Sequence, residues 1–206
     1  MNEAKNKKNG SMNLPNALSL LRCALVPVFV IALFWMREIP LWGRIVPAII
    51  YLVTGLTDML DGKIARKYNL VTDFGKFIDP LADKFMVLGS LISILALILI
   101  EGEVVMGLVF TAVTLILLLR ELGVTSLRLV VAGKSGIVVA ASMFGKLKTV
   151  SQMVGTLVIL LEPVVFPFCA ENHIAAYIAM GVMVITTVAS GIDYLRAYMP
   201  YIDTNS

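Results

Sequence analysis

The 206-residue sequence predicts an all-α fold: an integral membrane bundle of six transmembrane helices with an N-terminal interfacial amphipathic helix. Three observations carry that expectation. The chain is 59% hydrophobic and only 15% charged, with a mean hydropathy of +0.90, the balance of a membrane protein rather than of a water-soluble domain. The apolar residues gather into six stretches, each near the roughly 20 residues needed to cross a bilayer. The few charges collect at the ends of these stretches and divide unevenly between the two sides.

Residues 1–11 are rich in Lys and Asn and read as a disordered basic extension or an added tag. No cleavable signal peptide is expected, because no short apolar core with a small-residue cleavage site follows the basic start. A membrane domain is expected over 12–198, followed by a polar tail over 199–206. Within residues 12–22, Leu14, Leu18 and Leu21 share one helical face while Ser19 and Arg22 share another, so this segment reads as an amphipathic helix at the membrane surface running into the first span. The spans themselves are expected at 20–36, where Pro27 offers a kink, and then at 45–64, 75–100, 104–131, 144–161 and 174–194. Trp35 and Trp42 flank the first loop at interface depth. Residues 101–103 form a tight outer turn, and 162–171, with two prolines, form an outer loop.

Topology follows from Lys and Arg in the short loops. With an inside N-terminus, Arg37 and Arg44 are the only two of the 17 basic residues on the outer side, whereas Glu38, Glu101, Glu103, Glu162 and Glu171 all fall outside. Both termini are therefore expected on the cytoplasmic side. No nucleic-acid partner is called for, since topology and anionic substrates account for the basic residues. Cys23 and Cys169 lie in or beside different apolar stretches without metal-ligand spacing and read as packed thiols. His173 reads as a solvated loop histidine.

The chemistry concentrates between residues 58 and 83. Asp58 and Asp61 are three apart at the inner end of the second span, and Asp79 and Asp83 are four apart at the start of the third. On helices, each pair shares one face. Four carboxylates gathered near a membrane are costly unless a cation binds them. Hard divalent ions with oxygen ligands, two Mg²⁺ or Mn²⁺ for four carboxylates, meet that need and would neutralise a diphosphate. Gly62, Ala65 and Gly75 are small, which suits either close approach of a flat base and ribose or tight helix packing. Arg66 suits a phosphate fork or an interface anchor.

The spacing D-x-x-D-G-x-x-A-R-x8-G-x-x-x-D-x-x-x-D over residues 58–83 resembles the signature of the CDP-alcohol phosphotransferases at every fixed position. The resemblance implies displacement of CMP from a CDP-linked donor by an alcohol whose oxygen attacks the β-phosphorus. It implies a donor site at Asp58, Asp61, Gly62, Ala65, Arg66 and Gly75, metal ligation by Asp58, Asp61, Asp79 and Asp83, and Asp83 as acceptor of the alcohol's proton. It also implies a homodimer.

A second basic group is separate in sequence. Arg120 lies deep in the fourth span and Arg128 two turns on, while Lys146 and Lys148 open the fifth span. Glu121 follows Arg120 directly and is expected to face another way. Together the four cations read as a cytoplasmic pocket for a phosphate on the acceptor, although Lys146 and Lys148 also serve as topology signals. The Arg120-Glu121-x-x-x-Thr125-x-x-Arg128 run and the Gly145-Lys-x-Lys-Thr149 run resemble the bacterial phosphatidylglycerophosphate synthases, as does the Asn13-x-Pro15-Asn16 start with Arg22 after it. That likeness implies CDP-diacylglycerol as donor, sn-glycerol 3-phosphate as acceptor, and the bacterial inner membrane as location. The competing expectations are another acceptor, such as inositol phosphate, or a divalent-cation transporter. Transport sites usually sit near the midplane on broken helices, whereas these carboxylates lie at span ends.

Overall fold

Long apolar runs with no backbone partner in lipid must satisfy their own N–H and C=O groups, and helices do so within one segment. The computed structural model describes residues 14–68, 73–135 and 143–201. Every regular element among the described residues is helical: α1 Leu14–Trp35, α2 Trp42–Tyr68, α3 Asp73–Ile100, α4 Val104–Ser135, α5 Met143–Val165, the four-residue α6 Pro167–Ala170, and α7 Ile174–Tyr198, which ends in a single 3-10 turn. Five of the helices are long and apolar enough to cross a membrane; in α2 the apolar part, Trp42–Thr57, is shorter because its last turns carry the polar motif. At 27 residues, α2 is about 40 Å long at 1.5 Å per residue, ample for a bilayer. The basic extension, residues 69–72 between the aspartate pairs, most of the expected loop at 132–142 and the end of the tail lie outside the described residues.

The amphipathic stretch at 12–22 is continuous with the first span rather than set off from it: α1 runs unbroken from Leu14 through Pro27 to Trp35. Its polar positions turn inward. Asn16, Ser19 and Arg22, spaced by three, are each 1% exposed or less, while Leu21 is 49% exposed. A polar face inside and an apolar face outside is the inverse of a water-soluble helix, and it is the arrangement that lipid favours.

The chain packs as two units, Met1–Ile94 and Leu95–Ser206. In the first, α1 lies along α2, with the Phe29 and Tyr51 rings 6.1 Å apart. Gly89 of α3 has no side chain because a Cβ there would stand 2.6 Å from Cγ1 of Val26. Thr54 and Thr57 of α2 donate their hydroxyls back to the Ile50 and Val53 carbonyls, both at 2.6 Å, which lets them stay buried in an apolar helix.

In the second unit, α7 packs against both α4 and α5. The turn between α3 and α4 is the expected tight one, with Gly102 at φ 86°, a conformation that glycine adopts without strain. The outer loop expected at 162–171 is shorter than the sequence suggests, because α5 continues to Val165. Glu162 is 1% exposed, and its Oε1 accepts the Ala176 N–H at 3.0 Å. The first N–H groups of a helix lack intrahelical partners, and His173, at the N-cap of α7, provides no side-chain cap. Glu162 does so from the neighbouring helix. His173 is correspondingly not a solvated histidine: Nε2 lies 3.2 Å from Glu103 Oε2 and Nδ1 3.6 Å from Glu162 Oε2.

Candidate active site

Among the described residues, two of the groups of polar side chains that interrupt this apolar architecture carry the residues expected at a site, one in each unit. The first is built on α1, α2 and α3. α2 stays helical through Tyr68, so Asp58, Asp61, Gly62, Ala65 and Arg66 lie on its last turns; their side chains are outside the described ones. α3 starts at Asp73, and Asp79 and Asp83 stand one turn apart on its exposed side. Ile78 and Ala82, each one residue before an aspartate, are buried and turn the adjoining face of α3 into the unit's core. Gly75 is buried one turn before Asp79. Pro80 removes one backbone donor from this turn of α3.

Asp79 is tied to the first helix. Ser19 Oγ donates to Asp79 Oδ1 at 2.5 Å. Ser19 is fully buried, so a polar side chain that the sequence placed on a membrane-surface helix is instead turned onto the carboxylate of a motif 60 residues away.

The second group is built on α4, α5 and α7. Glu121 is its centre. Its Oε1 lies 3.2 Å from Arg120 Nη1 and also accepts a hydrogen bond from Lys148 Nζ of α5. Successive helix residues point about 100° apart, yet these side chains are long enough to meet, so Glu121 does not face away from Arg120 as the sequence suggests. Arg120 Nη2 donates to Ser190 Oγ of α7, and its guanidinium lies 5.3 Å from the centroid of the Tyr194 ring. Arg128, two turns along α4, lies 5.9 Å from the same ring. Tyr194 is 4% exposed and stacks on Tyr198 at 6.1 Å. Gly145, the residue before Lys146, leaves room for Tyr194: a Cβ there would stand 3.1 Å from its Oη.

The structure thus joins Arg120, Lys148 and Arg128 through Glu121 and Tyr194. Lys146 is exposed on the first turn of α5. Lys148 is 4% exposed, and a cation so buried in a membrane span needs a partner. Glu121 serves Lys148 and Arg120 with one carboxylate. Arg120, Arg128 and Lys148 thus gather on Glu121 and Tyr194, a cationic group that suits a multiply charged anion. The sequence missed Glu121, Ser190 and Tyr194. The signal for Tyr194 is an aromatic residue in the last turns of a span whose mean composition is apolar; Ser190 carries no comparable signal.

The family model for CDP-alcohol phosphatidyltransferase matches residues 12–189. Among curated proteins, the chain is 41% identical over 194 residues to a CDP-diacylglycerol–glycerol-3-phosphate 3-phosphatidyltransferase of Bacillus subtilis, covering 88% of this chain and 93% of the relative. It is 39% identical over 183 residues to a probable phosphatidylglycerophosphate synthase of Mycobacterium tuberculosis, covering 89% and 80%. A CDP-diacylglycerol–glycerol-3-phosphate 3-phosphatidyltransferase of Haemophilus influenzae is 33% identical over 186 residues, covering 89% and 92%.

Proposed function

The chain belongs to the CDP-alcohol phosphatidyltransferase family, and from that premise we propose that it transfers the phosphatidyl group of CDP-diacylglycerol to sn-glycerol 3-phosphate, releasing CMP and forming phosphatidylglycerophosphate. The relatives named for this reaction, matched over most of both chains, support it. The multi-pass helical architecture suits a lipid donor.

Divalent-metal dependence is general in the family, and the residues present fit such a group. Asp79 and Asp83 offer hard oxygen donors one turn apart on the exposed side of α3. Together with Asp58 and Asp61 they would hold two ions, Mg²⁺ or Mn²⁺, which neutralise the donor diphosphate and the leaving CMP. Gly62, Ala65 and Gly75 would admit the cytidine and ribose close to the backbone, and Arg66 would fork onto a phosphate. The acceptor's hydroxyl oxygen forms the new bond to the β-phosphorus while the bond to the α-phosphate's bridging oxygen breaks. The proton lost by that hydroxyl goes to the Asp83 carboxylate.

The observation that carries the choice of acceptor is the cationic cluster on Glu121 and Tyr194. A cationic group of this kind suits an acceptor that carries a phosphate; Arg120, Lys146, Lys148 and Arg128 would hold that of glycerol 3-phosphate. The charge asymmetry of the loops supports cytoplasmic placement of both termini and the site in a bacterial inner membrane, and the family likeness supports a homodimer. The test is purified protein in detergent with labelled CDP-diacylglycerol and three acceptors: glycerol 3-phosphate, inositol phosphate and glycerol. CMP release should be fastest by far with glycerol 3-phosphate. Faster release with inositol phosphate or with unphosphorylated glycerol would reject this acceptor.

A further inference from the structure

We infer that Ser19 is a positioning residue for Asp79, holding a metal-binding carboxylate of α3 in place from α1. The inference rests on the reading of Asp79 as a metal ligand. Its basis is the 2.5 Å bond from Ser19 Oγ to Asp79 Oδ1, which links residues 60 apart in sequence and lies within one packed unit.

The chemistry of the donor matters. A hydroxyl has one proton to give, and an ionised carboxylate only accepts. The bond therefore favours a single orientation of the Asp79 carboxylate. It leaves Oδ2, and the second lone pair of Oδ1, for a hard cation. A Lys or Arg in the place of Ser19 would also orient the carboxylate, but its charge would repel an incoming divalent ion. A neutral donor orients without competing. Partners of this kind behind metal-ligating side chains typically set metal affinity or activity within about 10- to 100-fold.

The environment is built for this task rather than incidental to it. Asp79 is exposed, so without a fixed partner its side chain would lose rotamer freedom each time an ion bound. Ser19 is fully buried and sits between Asn16 and Arg22, also buried, on one face of α1. Interhelical hydrogen bonds in membranes contribute little to stability on average, so loss of the Ser19 hydroxyl should show in metal binding rather than in folding.

The test uses the full chain in detergent. Mn²⁺ binding is followed by the EPR signal of the free ion, and the thermal midpoint is measured in EDTA. Ser19→Ala should weaken Mn²⁺ binding by about 10- to 100-fold while the midpoint in EDTA and, at saturating Mn²⁺, the KM for glycerol 3-phosphate stay at wild-type values. Ser19→Thr keeps the hydroxyl and should restore Mn²⁺ affinity. Wild-type affinity in Ser19→Ala overturns the inference. A lowered midpoint with unchanged affinity would make Ser19 a helix fastener and overturns it equally. If Ser19→Ala is not recovered folded, Ser19→Cys, a weaker donor of similar size, decides: weakened Mn²⁺ binding supports the role and wild-type binding rejects it. Asp79→Asn separates the two levels. Wild-type Mn²⁺ affinity there removes the metal reading and this inference with it, whereas loss there beside full affinity in Ser19→Ala removes the Ser19 role alone.

Discussion

Glu121 Oε1 accepts a hydrogen bond from the Lys148 ammonium, joining α4 to α5 within the second unit. The same oxygen meets Arg120 Nη1. One carboxylate therefore holds two cations in a membrane span, where either alone is costly. Glu121→Gln should destabilise the protein, because it removes the carboxylate that faces a cation 4% exposed. Adding Lys148→Met should recover much of the loss, since the buried charge is then gone. Thermal midpoints of the four proteins form a double-mutant cycle, with a coupling expected at about 1–3 kcal/mol. Additive losses would mean that the pair is not coupled.

If the cluster holds the acceptor's phosphate, its members touch one substrate only. Arg120→Ala and Lys148→Ala should raise the KM for glycerol 3-phosphate far more than that for CDP-diacylglycerol. A charge-assisted contact to phosphate contributes about 1.5–3 kcal/mol, so the loss in kcat/KM should be on the order of ten- to a hundredfold. Arg66→Ala should show the opposite bias. Equal weakening of both substrates by Arg120→Ala would remove the cluster from acceptor binding.

Tyr194 lies within cation–π distance of Arg120 and Arg128 at 5.3 and 5.9 Å. Tyr194→Phe keeps the ring and should change the KM for glycerol 3-phosphate little. Tyr194→Leu removes the ring's quadrupole and should raise that KM severalfold, consistent with about 0.5–2 kcal/mol for such a contact. Steady-state kinetics with the acceptor varied would distinguish the ring from the hydroxyl; equal effects of the two substitutions would exclude the cation–π role.

At the other end of α5, Glu162 caps α7 through the Ala176 N–H and faces His173. Glu162→Ala leaves that buried donor without its carboxylate, at a cost of about 1–3 kcal/mol. The thermal midpoint should fall while kcat, measured well below it, stays near wild type. A wild-type midpoint would show that the cap contributes nothing.

The helices were legible because lipid leaves the sequence few options. Apolar runs of span length, ended by Glu101-Gly102-Glu103 or by Trp35 and Trp42, place five of the six long helices within a few residues. The spacing of Asp79 and Asp83 also sufficed to put them on one face of α3. Partners across helices were not legible. Periodicity placed Ser19 and Arg22 on a common face but gave no means to tell an inward polar face from an outward one. Glu121 looked misdirected because a helical wheel ignores the reach of long side chains. Glu162 looked like a loop residue because Pro163 reads as a helix end, although neighbouring groups can satisfy the backbone around a membrane proline.

If the aspartates of α2 and α3 carry transfer of a phosphatidyl group onto glycerol 3-phosphate, the labelled acceptor reaches lipid only through them. The most direct measurement follows labelled glycerol 3-phosphate into lipid with purified wild type, Asp61→Asn and Asp79→Asn, each given CDP-diacylglycerol and saturating Mg²⁺. Label should enter phosphatidylglycerophosphate in the wild type only when donor and Mg²⁺ are both present, and each folded variant should lose most of this turnover. Label that never reaches lipid in the wild type, or near-normal incorporation by Asp79→Asn, would contradict this assignment.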